Sequence, residues 1–211
     1  MPVNTRLRAV IFDFGGVLVR TQSQERRVEW EQKLGLERGQ AEQLVFGGES
    51  GTAAQQGRIT DDAHWGWLGK LLGLNQEHLD EFRGAFFEDD VLDADLVAYI
   101  DNLRAAGLHL GLLSNASDIA RKVFGEKYGV LSHFDSVTIS SEEGVMKPDP
   151  EIFRIALQRA GVEPGEAVFV DDVVANVEAA RSIGMLGIQF VSNEATIAEL
   201  AALTGVEPES E

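Results

Sequence analysis

Ala9-Val10-Ile11-Phe12-Asp13-Phe14-Gly15-Gly16 decides the fold. Its first four residues are an unbroken apolar run, too short for a helix and closed by an aspartate and a glycine pair. That is the form of a strand buried on both faces and ending in a turn. Similar runs recur at Leu108 to Leu113, Val137 to Ile139, Ala167 to Val170 and Gly187 to Val191. Helical spacing fills the intervals. Asp93 to Ala106 closes at Gly107, and Asp149-Pro150-Glu151 opens a second helix with an N-cap, a proline at the first helical position and an acidic first turn. Val173, Val177 and Ala180 share a face of a third helix, which stops near Gly184. Strands alternating with helices predict an α/β fold whose parallel sheet is flanked by helices.

Val17 to Leu92 breaks this rhythm. It holds no comparable strand, and Leu34, Leu44, Leu68, Leu71, Leu72, Leu79, Phe82 and Phe86 fall at helical spacing, interrupted at Gly47-Gly48-Glu49-Ser50-Gly51 and at Gly57. The stretch reads as a helical insertion after the first strand, with Gly47-Gly48 and Gly51 ending a helix and turning the chain. Asp89-Asp90, at its end, reads as a turn or helix cap.

Composition narrows the function classes. The 211 residues carry 18 Lys plus Arg against 35 Asp plus Glu, a net charge of −17, with 44% hydrophobic residues and no cysteine. Such an acidic balance disfavours nucleic acid and anionic membrane surfaces as partners. Without cysteine there are no disulfides, thiolate nucleophiles or Cys-ligated metals. Met1-Pro2-Val3-Asn4-Thr5-Arg6 lacks the apolar core of a signal peptide, and no stretch approaches the apolar length of a membrane span, so a cytoplasmic protein is expected. The tail Glu207-Pro208-Glu209-Ser210-Glu211 is expected to be frayed, and the sequence gives no indication of oligomeric state.

In an open parallel sheet, ligands bind at the carboxyl edge of the strands. The first strand delivers Asp13 there, the second Ser114-Asn115, the loop after the third Met146-Lys147-Pro148, and the fourth Asp171-Asp172. Three carboxylates converging on one crevice repel one another unless a cation sits among them. A hard divalent ion held by oxygen, Mg²⁺ above all, is the natural occupant, and a phosphate is its usual companion. Lys147 adds positive charge, and the Ser114 hydroxyl with nearby backbone N–H groups can hold phosphoryl oxygens. A carboxylate facing phosphorus in such a site can attack it and form an aspartyl phosphate, which water then hydrolyses.

Asp13-Phe14-Gly15-Gly16-Val17-Leu18, Leu112-Leu113-Ser114-Asn115, Lys147-Pro148 and Val170-Asp171-Asp172 with Asn176 together resemble, in order, the four motifs of the haloacid dehalogenase (HAD) superfamily. The resemblance covers essentially the whole chain. It implies a Rossmann-like core domain over residues 1–16 and 93–211, with a mobile helical cap inserted at residues 17–92. It also implies a Mg²⁺-dependent phosphatase acting on a small phosphorylated metabolite. In that scheme Asp13 is the nucleophile and a metal ligand, and Asp172 and the Gly15 carbonyl complete the metal set. Ser114, Asn115 and Lys147 bind the phosphoryl group, while Asp171 and Asn176 support the fourth motif.

One departure bears on chemistry. Most phosphatases of this superfamily carry a second Asp two residues after the nucleophile, where this chain has Gly15. The Phe-Asp-x-Gly form resembles sugar-phosphate phosphatases of the superfamily and the phosphatase domain of soluble epoxide hydrolase. A leaving oxygen that is already acidic needs little protonation, so a sugar phosphate is the favoured expectation. The alternatives are a 2-haloacid dehalogenase, which uses the Asp without a metal, and a catalytically impaired phosphate-binding protein. Within the insertion, Thr60 or Asp61 is expected to cap the helix carrying Trp65 and Leu68. Arg26, Arg27 and Trp30 are placed either at the crevice or in solvated and packing roles, and His78, His109 and His133 receive no function.

Overall fold

A computed structural model describes residues 7–208, so Met1 to Arg6 and Glu209-Ser210-Glu211 lie outside the described residues. The chain runs β1 (Ala9–Phe12), β2 (Val19–Thr21), α1 (Glu25–Leu34), α2 (Gln40–Phe46), α3 (Gly48–Gln55), α4 (Asp61–Leu72), α5 (Gln76–Phe86) and β3 (Asp90–Leu92). It continues through α6 (Ala94–Ala105), β4 (His109–Ser114), α7 (Ala120–Lys122), β5 (Ser136–Ile139), α8 (Ser140–Glu143) and α9 (Pro150–Ala160). It ends with β6 (Ala167–Asp171), α10 (Val174–Ser182), β7 (Leu186–Gln189) and α11 (Asn193–Thr204).

β1 is the middle strand of a five-stranded sheet ordered β5-β4-β1-β6-β7, with every pairing parallel. All four of its residues are buried, and strand alternation sends Val10 and Phe12 to one face and Ala9 and Ile11 to the other. The first face packs with Leu112, Val170 and the α6 residues Leu96 and Ile100. The second packs with Phe169 and with Ile152 and Phe153 of α9. The result is the α/β sheet with helices on both faces that the apolar runs predict. The last strand ends at Gln189, and Val191 is exposed. Asp93 caps α6 by accepting the Leu96 N–H, and Asp149 caps α9 with Pro150 at the first helical position. Val173 is the N-cap residue of α10 and is exposed, whereas Val177 and Ala180 are buried.

Residues 17–92 differ from the all-helical expectation in two places. β2 and β3 pair antiparallel with Thr21 opposite Asp90, so the segments leaving and rejoining the sheet form a small ribbon. Three-residue strands are too short to stand out as apolar runs, and Asp90 consequently lies in a strand while Asp89 lies in the turn before it. The glycine-rich stretch also continues as a helix. Gly47 carries the break, and Gly51 sits inside α3 where a Cβ would lie 2.9 Å from the Phe46 carbonyl carbon. Leu68, Leu79, Phe82 and Phe86 pack with Trp30 and Trp65 in a cluster of their own, while Leu71 faces solvent. These helices meet the sheet's carboxyl edge closely. The Ser140 hydroxyl donates to the Gln55 carbonyl at 2.5 Å, and a Cβ on Gly57 would stand 2.2 Å from the Ser141 carbonyl oxygen.

Candidate active site

The register of the three middle strands assembles the site. Phe12 lies opposite Leu112 on one side and Val170 on the other, so the residues that follow on all three strands emerge together at the carboxyl edge. The Asp13 N–H donates to the Val170 carbonyl at 2.9 Å, which fixes where its side chain starts. Lys147 enters from the loop after α8. Its Nζ lies 2.7 Å from Asp13 Oδ1 and 2.6 Å from Asp171 Oδ2, and its side chain is fully buried.

Two predicted residues prove to be engaged with the protein itself. Asn115 donates from Nδ2 to the Lys147 carbonyl at 2.9 Å and accepts the Lys147 N–H at 2.8 Å, so both ends of its amide grip the lysine's backbone. Asp171 is wholly buried. Its Oδ1 accepts the Val173 N–H at 2.8 Å, Asn176 Nδ2 donates to both oxygens at 3.1 and 3.0 Å, and Lys147 takes Oδ2. A buried charge satisfied this fully is an anchor for Lys147. Ser114 is buried at the end of β4 and lines the same crevice, as do Gly15, Asp172 and Asn176.

Asp13, Asp171 and Asp172 each offer a carboxylate oxygen, all within 4.8 Å of one another. One lysine faces three carboxylates, and the protonation equilibria show the deficit. Burial, together with the charge of Asp171, pushes the Asp13 carboxyl up to about 7 despite the lowering pull of Lys147. Burial and then Asp171 likewise raise Asp172 above the usual carboxylate range. Among the described residues no basic side chain lies within ion-pairing distance of Asp172.

Glycines shape the loop after β1. Around Gly15 an added Cβ would meet nothing within 4 Å, so the position at which a second Asp is missing from this chain is open space. Gly16 has φ +78°, and a Cβ there would stand 2.4 to 2.8 Å from the three carboxylate atoms of Asp172. Gly16 thus belongs to the site, where the sequence pattern alone shows a turn. Its signal is the glycine pair itself, one for the turn and one for a close approach.

Above the carboxylates lies a chamber of about 1160 Å³, walled by the inserted helices and the segment around α7. Arg27 is buried in that wall, pairing with Asp90 and donating to the Phe86 carbonyl, whereas Arg26 pairs with Glu88 at the surface. A polar clasp joins the inserted helices to the loop after β4. Asp61 accepts from Ser117 Oγ at 2.8 Å and pairs with Arg83 at 2.5 Å, while its N–H donates to Asp118 Oδ1 at 2.8 Å. Thr60 is the N-cap of α4, which leaves Asp61 free for this clasp. Nothing in the local sequence pattern marks it, because its partners lie 22 to 57 residues away.

Residues 7–184 match the family described as "Hydrolase: haloacid dehalogenase-like hydrolase". The chain belongs to this family. As a HAD-like hydrolase it is 32% identical over 208 residues to mouse acyl-CoA dehydrogenase family member 10, covering 94% of this chain but only 19% of that protein. It is 27% identical over 204 residues to the sesquiterpene phosphatase astK of Aspergillus oryzae, covering 95% of this chain and 98% of the other. Among solved structures, a HAD family enzyme from Bacteroides thetaiotaomicron superposes with a TM-score of 0.77 at 23% identity, covering 92% of this chain and 98% of that one. That enzyme has also been solved as a magnesium complex. Among the described residues no helix is long and apolar enough to cross a membrane.

Proposed function

We propose that this HAD-like hydrolase is a Mg²⁺-dependent phosphomonoesterase acting on a small phosphorylated metabolite through an aspartyl phosphate on Asp13. The observation that carries the reading is the cluster of Asp13, Asp171 and Asp172 oxygens within 4.8 Å, offset by one buried lysine. The donor set fits a hard divalent cation, since its ligand atoms are oxygen alone and one lysine charge faces three carboxylates. Asp13, Asp172 and the Gly15 carbonyl would hold the ion, because Asp171 is saturated by Lys147, Val173 and Asn176. Bound there, Mg²⁺ supplies charge stabilisation for the transferring phosphoryl group. We assign residues 17–92 as the cap, with 1–16 and 93–211 as the core. A cytoplasmic location rests on the cysteine-free composition.

Asp13 attacks phosphorus in line as the bond to the leaving oxygen breaks, and water then cleaves the acyl phosphate to free inorganic phosphate and the carboxylate. Lys147 favours the ionised form of Asp13 and meets the phosphoryl oxygens, and Ser114 donates a hydrogen bond to them. Asn115 positions Lys147 through its backbone, and Asp171 with Asn176 holds the lysine's charged end. With Gly15 in place of a carboxylate, the leaving oxygen must depart with little help from a proton. This supports substrates whose leaving oxygen is acidic, of which an anomeric sugar phosphate is one. The dehalogenase alternative has no use for Asp172, an acidic group with no cationic partner of its own.

The test is hydrolysis of p-nitrophenyl phosphate with Mg²⁺ and with a chelator, alongside Asp13→Asn and release of halide from 2-chloropropionate. The reading expects phosphate release that the chelator and Asp13→Asn both abolish. Halide release that survives the chelator overturns it in favour of the dehalogenase. Phosphate binding with no turnover overturns it in favour of an impaired binding protein.

A further inference from the structure

The chamber over Asp13 has walls whose chemistry selects a leaving group. Its volume of about 1160 Å³ slightly exceeds the roughly 300–1,000 Å³ of sites that enclose a drug-sized molecule, far more than a phosphoryl group fills. Phe46, Trp65 and Phe87 from the cap and Phe124 and Tyr128 from the core all line it. Phe46 makes edge contacts with Phe86 at 5.6 Å and Phe87 at 6.2 Å, and Trp65 meets Phe87 at 6.1 Å, so the cap side is a connected set of ring faces and edges.

Polar groups do reach the chamber: Gln24, Glu42, Asp80 and Lys127 line it at solvent-exposed positions, while the less exposed Arg27, Arg83, Ser117 and His64 are already bonded within the protein. Arg27 donates to the Phe86 carbonyl, Thr21 and Asp90. Arg83 and Ser117 are held by Asp61. His64 Nε2 lies 2.9 Å from the Val45 carbonyl and must donate to it, and Nδ1 lies 2.9 Å from Ser50 Oγ, so both ring nitrogens are engaged. Burial holds its pKa below the usual histidine range, which favours the neutral imidazole. A sugar seated against the rings needs free donors and acceptors to replace its water, and hydroxyls left unpaired there are costly. An apolar ring faces no such cost and gains edge-to-face contacts.

The open space at Gly15 adds a second, independent constraint, since it favours a leaving oxygen that departs unprotonated. Phenols meet both conditions. We infer that the substrate class is an aryl phosphate monoester, a phosphate carried on a flat, apolar phenolic body seated between the aromatic walls of cap and core. This rests on the phosphatase reading above and narrows its leaving group.

Binding and turnover separate the two claims. Calorimetry in the presence of Mg²⁺ compares ethylphosphonate, benzylphosphonate and 2-naphthylmethylphosphonate, which cannot be hydrolysed. Turnover compares phenyl phosphate, 2-naphthyl phosphate and glucose 1-phosphate. The expected result is that 2-naphthylmethylphosphonate binds at least about tenfold tighter than ethylphosphonate, from the added apolar area alone, and that 2-naphthyl phosphate has the highest kcat/KM. Phe46→Ala changes a ring that is 45% exposed, so folding is not threatened. It should cut severalfold the ratio of 2-naphthylmethylphosphonate to ethylphosphonate affinity. Equal binding of the ethyl and naphthylmethyl ligands, or a higher kcat/KM for glucose 1-phosphate, overturns the inference. A naphthyl preference in binding without turnover of any ester supports the ligand class and overturns the hydrolytic reading.

Discussion

Gly16→Ala isolates the one place where the backbone itself shapes the acidic cluster. Two costs are expected, and they act on different observables. The residue sits at φ +78°, and a side chain in that left-handed region costs about 1–2 kcal/mol. For a chain of this size that is a loss of about 2–8 °C in Tm. The second cost is geometric. The new methyl group would lie 2.4 Å from Asp172 Oδ2, and ordinary contact begins near 3.4 Å. Asp172 must therefore retreat by about 1 Å, a displacement of the kind that lowers kcat/KM by about 10²-fold when it misplaces a catalytic group. Gly161→Ala is the matched control, since φ there is +64° and nothing lies within 4 Å of the added Cβ. Thermal melts and p-nitrophenyl phosphate kinetics are run on both variants. Both should lose similar Tm, and only Gly16→Ala should lose activity. If Gly16→Ala keeps wild-type kcat/KM while losing the same Tm as the control, Asp172 has no part in the reaction.

Other predictions follow from the same geometry. Asp13 must be ionised to attack, and its carboxyl is raised to about 7 with no cation bound, so kcat/KM at limiting Mg²⁺ should rise with pH through that value. Saturating Mg²⁺ favours the carboxylate and should move this limb to lower pH, and a limb indifferent to Mg²⁺ contradicts cation binding at Asp13. The sign for stability is opposite to that of an ordinary carboxylate. The folded state holds the Asp13 proton more tightly than the unfolded one, so the cation-free protein should lose Tm between pH 4 and 7, and Mg²⁺ should restore it. Gly15→Asp fills open space, so it should fold and should accelerate hydrolysis of alkyl phosphates more than of p-nitrophenyl phosphate, by about 10²-fold or more. Equal effects on both substrates would count against the missing-acid argument. Asp61→Ala leaves Arg83 and Ser117 without their shared acceptor and should cost about 1–3 kcal/mol in denaturant melts, with KM raised if the clasp holds the cap over the substrate.

The sheet was legible because buried parallel strands leave unbroken apolar runs, and Ala9 to Phe12 needs no partner information to be read. Asp13, Ser114, Lys147 and Asp171 could be placed because a parallel sheet brings every strand's carboxyl end to one edge. What escaped the sequence depends on contacts made across the chain. β2 and β3 are three residues each and exist as strands only because they pair with each other. Asn115 reads from the sequence as a ligand of the phosphoryl group, and no local pattern shows that its amide grips the backbone of Lys147, 32 residues away. Gly16 is indistinguishable from a turn glycine until Asp172 is brought against it, and Asp61 from a helix cap until Ser117 and Arg83 converge on it.

The central claim is that Asp13 forms a covalent bond to phosphorus. Rapid acid quench of the Mg²⁺-loaded protein during turnover of p-nitrophenyl phosphate, followed by peptide mass spectrometry, tests it most directly. The account predicts a transient phosphoryl group on the peptide carrying Asp13, absent from Asp13→Asn and absent without Mg²⁺. Steady turnover with that peptide unmodified at every quench time, or a phosphoryl group trapped on another residue, contradicts it.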